Sequence, residues 1–231
     1  MTLIRHGDYH QPEAVPSALL PYALTREGEQ QARVASEPVL DFSKRHGLDC
    51  LDTIDCSLQL RAWQTANLLA ESMTSHLNQP FQIEEFPALS ERSVGAMANL
   101  SVIEIEKIIS LDPRMSNPPR CWKSNSEYRL PFQGAESLME AGKRVADHIE
   151  ALADTHVATT DRGSLKIVVG HGASIRHAAL HLGLLSLDNV SKVSMHHARP
   201  IFITKKDGEW RLLAGDWKLR EHSNDGDEIG V

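Results

Sequence analysis

Two segments of the chain share one plan, and that repetition constrains the fold more than any other feature. Near the start, the apolar run MTLIR (1–5) leads into His6 and Gly7; far downstream, KIVVG (166–170) leads into His171 and Gly172. Each reads as a short buried strand whose carboxyl end delivers a histidine, with a glycine that lets backbone approach a ligand closely. After His171 the run GASIRHAALHLG reads as a helix. In open α/β sheets, ligands collect beyond the carboxyl ends of strands, and a helix N-terminus adds partial positive charge there. A single Arg-His-Gly before a turn is commonplace on surfaces. Two strand–His–Gly units point to a shared anion site.

The rest of the sequence supplies the alternation such a sheet needs. Residues 25–46 read as helical, with Thr25 as N-cap, Gly47 as stop and Pro38 as a split or kink. DTIDCS (52–57) reads as a strand followed by a helix in RAWQTANLLAESMTSHL (61–77). FQIEEF (81–86) and KIVVGH (166–171) read as further strands, apolar enough for the sheet interior. Between them, Ser101 and Glu104 have capping-box spacing before a short helix, VIEIEKII. A long loop, residues 112–134, follows, and loops of that length in compact domains usually act as lids. A helix is expected from Glu136 to about His156. KVSMHHA, PIFITKKDG and EWRLLAGDW read as strands, with Asp207-Gly208 as a hairpin turn, and the acidic end EHSNDGDEIGV is expected to fray. The fold class expected is α/β: three α/β/α layers around a mostly parallel sheet, one domain over 1–231, with a cap inserted at about 96–134.

Composition narrows the function classes. A formal net charge of -7 argues against nucleic-acid or membrane-surface binding, which need a basic face. Cys50, Cys56 and Cys121 form no Cys-x-x-Cys pair, so reduced thiols and a cytoplasmic setting are expected, without a disulfide framework or zinc knuckle. No run approaches the ~20 apolar residues of a membrane span, and no secretory leader is recognisable.

Six landmarks occur in order: LIRHG, LTREGEQQA (24–32), CSLQLRAWQTA (56–66), LSERSVG (89–95), GAES (134–137) and VVGHGASIR (168–176). In this the chain resembles the histidine phosphatase superfamily, with its phosphoglycerate-mutase-like fold, over nearly its whole length. The resemblance implies that His6 is a nucleophile that becomes phosphohistidine. Arg5 and Arg61 match the phosphate-binding arginines, and His171 the second pocket histidine that donates to the phosphoryl group. Glu91 matches the acid that protonates the leaving alkoxide and then activates water, with Glu84 and Glu85 as weaker competitors. Gly7 and Gly172 are expected to let amides approach the phosphate, and His10 to occupy the place of a phosphate-contacting asparagine. No metal and no cofactor is implied, since fixed cationic side chains take that role.

Other residues carry plainer expectations. Thr65 is expected to pack within its helix. His177 and His181 have zinc-like i, i+4 spacing but lack the metalloprotease glutamate, so a structural role is expected. His196 and His197 are expected on opposite faces of a strand, one of them lining the pocket, and Glu136 and Ser137 to anchor a loop. Arg114, Arg120, Lys123, Tyr128 and Arg129 in the cap would suit anionic parts of a substrate, or be solvated lid charges. The stretch after LIRHG lacks the Trp-Asn pair and Gly-Trp loop of the mutase branch, which favours a phosphomonoester hydrolase acting on a phosphorylated small molecule or phosphoprotein. A phosphoglycerate-type mutase and a catalytically silent phospho-ligand binding protein remain alternatives. A homodimer is compatible with such sheets but leaves no mark in one sequence.

Overall fold

The computed structural model describes residues 1–155 and 163–220. Its order is β1 (Thr2–Arg5), α1 (Arg26–Val34), α2 (Ser36–His46), β2 (Asp49–Ser57), α3 (Leu60–Leu77), β3 (Gln82–Phe86), α4 (Val102–Leu111) and α5 (Leu138–Thr155), then β4 (Ser164–Gly170), α6 (Gly172–His181), α7 (Leu187–Val190), β5 (Val193–Ser194), β6 (Ile201–Lys206), β7 (Glu209–Ala214) and β8 (Lys218–Leu219). Six strands form one sheet in the order β3-β2-β4-β1-β6-β7, parallel from β3 to β1 and antiparallel through β6 and β7.

Period-two alternation explains the layers. Ile4, Ile167 and Val169 face one side and pack against Val39, Phe42, Leu69 and Met73 of α2 and α3. Leu3 and Val168 face the other side, against Val145 and Ile149 of α5 and Ile175 of α6. Both faces of β1 and β4 are thus covered, which is why their runs are apolar without interruption. The two strands lie side by side with Arg5 opposite Gly170, so His6 and His171 leave the sheet together.

Several local expectations hold for visible reasons. Thr25 caps α1 by accepting from the Gly28 amide, and Gly47 ends α2 at φ 62°. The helical run breaks at Ala35, three residues before Pro38, because proline disfavours the carbonyl four residues back, that of Val34. Ser101 and Glu104 form the capping box of α4. Asp207 and Gly208 both have positive φ, 54° and 82°, as a two-residue hairpin turn of the mirror type requires.

Three expectations need correction. β3 is an edge strand, not an interior one; its Gln82, Glu84 and Glu85 are exposed while Ile83 and Phe86 pack only partly. KVSMHHA is a strand only at Val193–Ser194, which pairs with β8 in a separate two-stranded sheet. The chain then turns at Ala198 (φ 49°), and His197 forms an isolated bridge with Arg5, so His196 and His197 do not alternate across a strand. α5 begins at Leu138, after the expected Glu136; its expected end at His156 and the acidic tail lie outside the described residues.

The turn after β1 is clamped from two sides. The Gly7 amide donates to Thr65 Oγ1 at 3.0 Å, and the Asp8 amide to Gln31 Oε1 at 2.9 Å. Thr25 donates through Oγ1 to Asp8 Oδ2 at 2.7 Å. A Cβ on Gly7 would lie 2.4 Å from the Gly28 carbonyl oxygen, and one on Gly28 only 1.9 Å from that of Asp8. Backbone against backbone cannot yield cheaply. Gly28→Ala is therefore expected to cost about 1–3 kcal/mol in urea unfolding, and a loss within experimental error would show that the 6–8 turn is not held this way.

Candidate active site

His6 emerges at the end of β1 with its ring almost wholly buried. Its Nδ1 lies 2.8 Å from the Gly7 carbonyl oxygen, and a carbonyl can only accept, so Nδ1 carries the hydrogen. Its Nε2 lies 3.3 Å from Nε of Arg61, which can only donate, so Nε2 carries a lone pair. Two neighbours thereby fix one tautomer. Burial first, and then the charges of Arg61 and Arg5, push the His6 pKa well below its ordinary value, so the ring stays neutral.

His171 lies across from it, ring centroids 5.1 Å apart, and is fully buried. Its Nε2 meets Ser57 Oγ at 2.8 Å and Gln59 Oε1 at 3.0 Å, and Ser57 also hydrogen-bonds Gln59. Burial and the same two arginines lower its pKa well below the usual histidine value. His197 completes the cluster, 5.7 Å from His6, its pKa pushed down to about 3 by burial and Arg5.

Arg5 lies across the first turn of α6, where Gly172 makes room: a Cβ there would come within 3.0 Å of the arginine Cδ. Its Nη1 donates to the Met195 carbonyl at 3.0 Å, and burial lowers its pKa to about 10, so it remains a cation. Arg61, at the start of α3, has no exposed surface. Its guanidinium stacks over Tyr9 at 4.7 Å and donates to the carbonyls of Leu20 and Ala18 at 2.9 and 3.2 Å. Its fork is therefore filled by the 17–20 loop, and Nε alone points at His6. Glu91 sits on the N-terminus of α6, accepting from the amides of Ser174 (3.1 Å), Ala173 (3.4 Å) and its neighbour Arg92 (2.9 Å).

Arg5 Nε, Gln59 Nε2, His171 Nδ1 and His197 Nε2 are buried and have no hydrogen-bond partner among the described residues. Each such group costs about 1–3 kcal/mol. A small tetrahedral anion could satisfy the two that can only donate, Arg5 Nε and Gln59 Nε2. Of these residues Arg5 lines a cleft of about 100 Å³, together with His6, Glu91 and Gly172. A roomier groove of about 500 Å³ is lined by Val34, Pro38 and Phe42 and shares only His197 with the cluster, so volume is a poor guide here. No group of three His, Cys, Asp or Glu among the described residues is placed to hold a metal ion.

Five residues expected from sequence thus meet: Arg5, His6, Arg61, Glu91 and His171. Others do not. His10 is exposed, because Tyr9 bridges Leu24 and turns inward, edge-on to His6 at 5.1 Å, leaving His10 outward. The Gly7 amide is spent on Thr65, so this glycine serves packing, not anion approach. Of the cap residues expected at the substrate only Lys123 lines the cleft, beside Ser124. Arg120 is exposed, Arg114 pairs with Asp112, Arg129 pairs with Glu140, and Tyr128 packs beside Trp122. Glu84 and Glu85 face solvent on β3. His177 is structural, joining Ser126 to the Ala173 carbonyl, and Glu136 pairs with Arg144. The sequence reading missed Tyr9, Ser57, Gln59, Arg92, Arg176 and Arg220. Ser57 and Gln59 sit four and two residues before Arg61, but only the sheet turns them toward His171.

Comparison with known proteins agrees with this geometry. The family model of the histidine phosphatase superfamily (branch 1) matches residues 1–217. The chain is 25% identical over 203 residues to the 2,3-bisphosphoglycerate-dependent phosphoglycerate mutase of Parvibaculum lavamentivorans, covering 87% of this chain and 88% of that one. Among solved structures it is similar to a mycobacterial glucosyl-3-phosphoglycerate phosphatase (TM-score 0.67, 20% identity, 96% and 98% of the two chains). It is also similar to a putative alpha-ribazole-5'-P phosphatase of Escherichia coli (TM-score 0.67, 18% identity, 100% and 98%).

The buried neutral histidines make stability depend on pH. His6 and His171 titrate well below 6.5, His177 at about 4 and His197 at about 3. The unfolded chain binds these protons from about pH 6.5 downward, so folding stability is complete above that value and falls as pH drops toward the folded pKa values. Each histidine is expected to remove about 2 kcal/mol between pH 7 and pH 5. Urea midpoints measured over that interval should fall steeply; a flat profile would mean that these rings protonate in place.

Proposed function

Because the chain belongs to the histidine phosphatase superfamily, we propose that it is a phosphomonoester hydrolase acting through a phosphohistidine on His6. The tautomer of His6 carries this reading, since a lone pair on Nε2, aimed beside two guanidiniums, is what attack on phosphorus requires. The mechanism follows from the positions of the groups. Nε2 forms the bond to phosphorus as the ester P–O bond breaks, and the departing alkoxide takes a proton from the Glu91 carboxyl. Water then attacks the phosphohistidine and gives its proton to the Glu91 carboxylate, and the P–N bond breaks to release orthophosphate.

The incoming phosphoryl group must take the place of Arg61 Nε at the lone pair. The arginine then passes its hydrogen bond to a phosphoryl oxygen while the Arg5 Nε–H reaches a second. Ser57 donates to Gln59 Oε1, so His171 donates through Nε2. It becomes a third donor at Nδ1 when the charge of an incoming phosphoryl group holds a second proton on the ring. Residues 96–134 form the substrate cap, a reading supported by Ile105, Ile109, Trp122 and Leu130, which pack in a cluster apart from the two sheet cores, joined by Ala18, Val94 and Ala135 from outside the cap. We assign a metal-independent reaction of the histidine acid phosphatase type in the cytoplasm, where the free thiols of Cys50, Cys56 and Cys121 are at home. The mutase reading draws on the phosphoglycerate mutase names of two sequence relatives; it requires transfer to a second hydroxyl with little free phosphate.

Hydrolysis of a generic aryl phosphate with EDTA present is the test. Wild type should release phosphate, His6→Ala should lose at least about 1,000-fold in kcat/KM, and Glu91→Gln should slow poor leaving groups more than good ones. Full activity in His6→Ala would overturn the mechanism. Phosphate transfer without release would favour the mutase, and pure wild type inert toward every phosphoester a binding module.

A further inference from the structure

Arg61, whose Nε–H meets the His6 lone pair, is held by a loop. Its fork donates to the carbonyls of Leu20 at 2.9 Å, Ala18 at 3.2 Å and Ser17 at 3.5 Å, and residues 10–23 form neither helix nor strand. Connecting segments of that kind are commonly the more mobile parts of a domain. An arginine aimed at one nitrogen cannot follow such motion and keep its aim.

Tyr9 ties loop and arginine together. Its hydroxyl donates to Ser17 Oγ at 2.9 Å, Ser17 reaches Gln11 Oε1 at 3.5 Å, and Gln11 Nε2 donates to the Val15 carbonyl at 3.0 Å. Burial raises the Tyr9 pKa, so the hydroxyl keeps the proton it donates. The ring packs with Leu20, Leu24 and Ala32, and the Arg61 guanidinium lies over it, 4.7 Å from the centroid. The His6 ring stands at right angles beside it, centroids 5.1 Å apart. Tyr9 is itself fixed. It follows directly on Asp8, whose amide and carboxylate are held by Gln31 and Thr25, and it bridges to Leu24. Ser17 and Ala18 also line the cleft, so one loop is both a wall of the site and the mount of its arginine. A carboxylate could hold Arg61 as firmly but would cancel its field; an aromatic face attracts a desolvated cation and leaves its charge intact.

We propose that Tyr9 is a positioning residue of the phosphoryl-transfer step. Its ring face aims the Arg61 Nε–H at His6 Nε2 and at the phosphoryl group that arrives there, and its hydroxyl fixes the loop that carries the arginine. The assignment rests on the hydrolase reading for its kinetic consequence, but not for the aim of Arg61 in the resting site.

Tyr9→Phe and the 4-fluoro, 3,5-difluoro and 3,4,5-trifluoro forms of that phenylalanine nearly keep the ring's shape while weakening its negative face in steps. With 4-nitrophenyl phosphate, kcat should fall stepwise, about tenfold from phenylalanine to the trifluoro ring, with KM nearly constant. Arg61, Arg5, His171, His197 and Tyr9 face the His6 ring. The two arginines add to burial in lowering the His6 pKa. A looser Arg61 lets that pKa rise, so the acid limb of kcat/KM should move to higher pH along the series. A ring that only fills space moves neither quantity. A flat kcat or an unmoved limb would overturn the assignment while the hydrolase reading stood. Against wild type, Tyr9→Phe tests the hydroxyl and should raise KM about threefold or more as the wall at Ser17 loosens; an unchanged KM would overturn that part. Should wild type release phosphate from no ester, the hydrolase reading falls, and nitrogen-15 NMR of His6 decides the positioning alone. A second tautomer that grows with fluorination supports it, and one tautomer throughout the series overturns it.

Discussion

The hydrogen bond from Arg61 Nε to His6 Nε2 is the contact on which the site depends. It sets the tautomer and brings a cation against the ring, whose charge adds to the larger effect of burial in keeping the ring neutral. The Gly7 carbonyl does the complementary work at Nδ1. Such an arrangement survives only if neither partner can rotate away. The fold ensures this by burying both and by filling the rest of the Arg61 fork with carbonyls of residues 18 and 20.

The treatment of buried charge elsewhere in the molecule shows what is unusual here. Lys166, buried on β4, stands 2.5 Å from Asp55, which also meets His148 at 2.8 Å, so charge is answered by opposite charge. Arg5 and Arg61 have no carboxylate within ion-pair distance among the described residues. Their charges are met by carbonyl oxygens and, for Arg61, by the face of Tyr9. Hydrogen bonds to charged groups contribute roughly 1.5–3 kcal/mol each and a desolvated cation–π contact about 2 kcal/mol. That is enough to keep a buried guanidinium charged without neutralising it, so its field remains available to an incoming phosphoryl group.

Much of this was legible in the sequence because it depends on local rules. The strand–His–Gly units at 6 and 171, the cap at Thr25, the capping box at Ser101 and the Asp207-Gly208 turn each follow from a few adjacent residues. What escaped depends on distant contacts. The edge position of β3 follows from strand order, which its own residues do not encode. His10 loses its expected place because one bridge, between Tyr9 and Leu24, decides which neighbour turns inward. Arg176 and Arg220 enter the cleft through the carbonyls of 191–193, a segment far from both in the chain. The cap arginines are misleading for the converse reason, since local acids such as Asp112 and Glu140 claim them.

Nitrogen-15 NMR of His6 tests the central claim most directly. A neutral ring with a protonated Nδ1 and a bare Nε2, unchanged from pH 8 to pH 5.5, is the result this account requires. A ring that carries its proton on Nε2, or that titrates near 6.5, would contradict it, because the lone pair would not be where phosphorus must arrive.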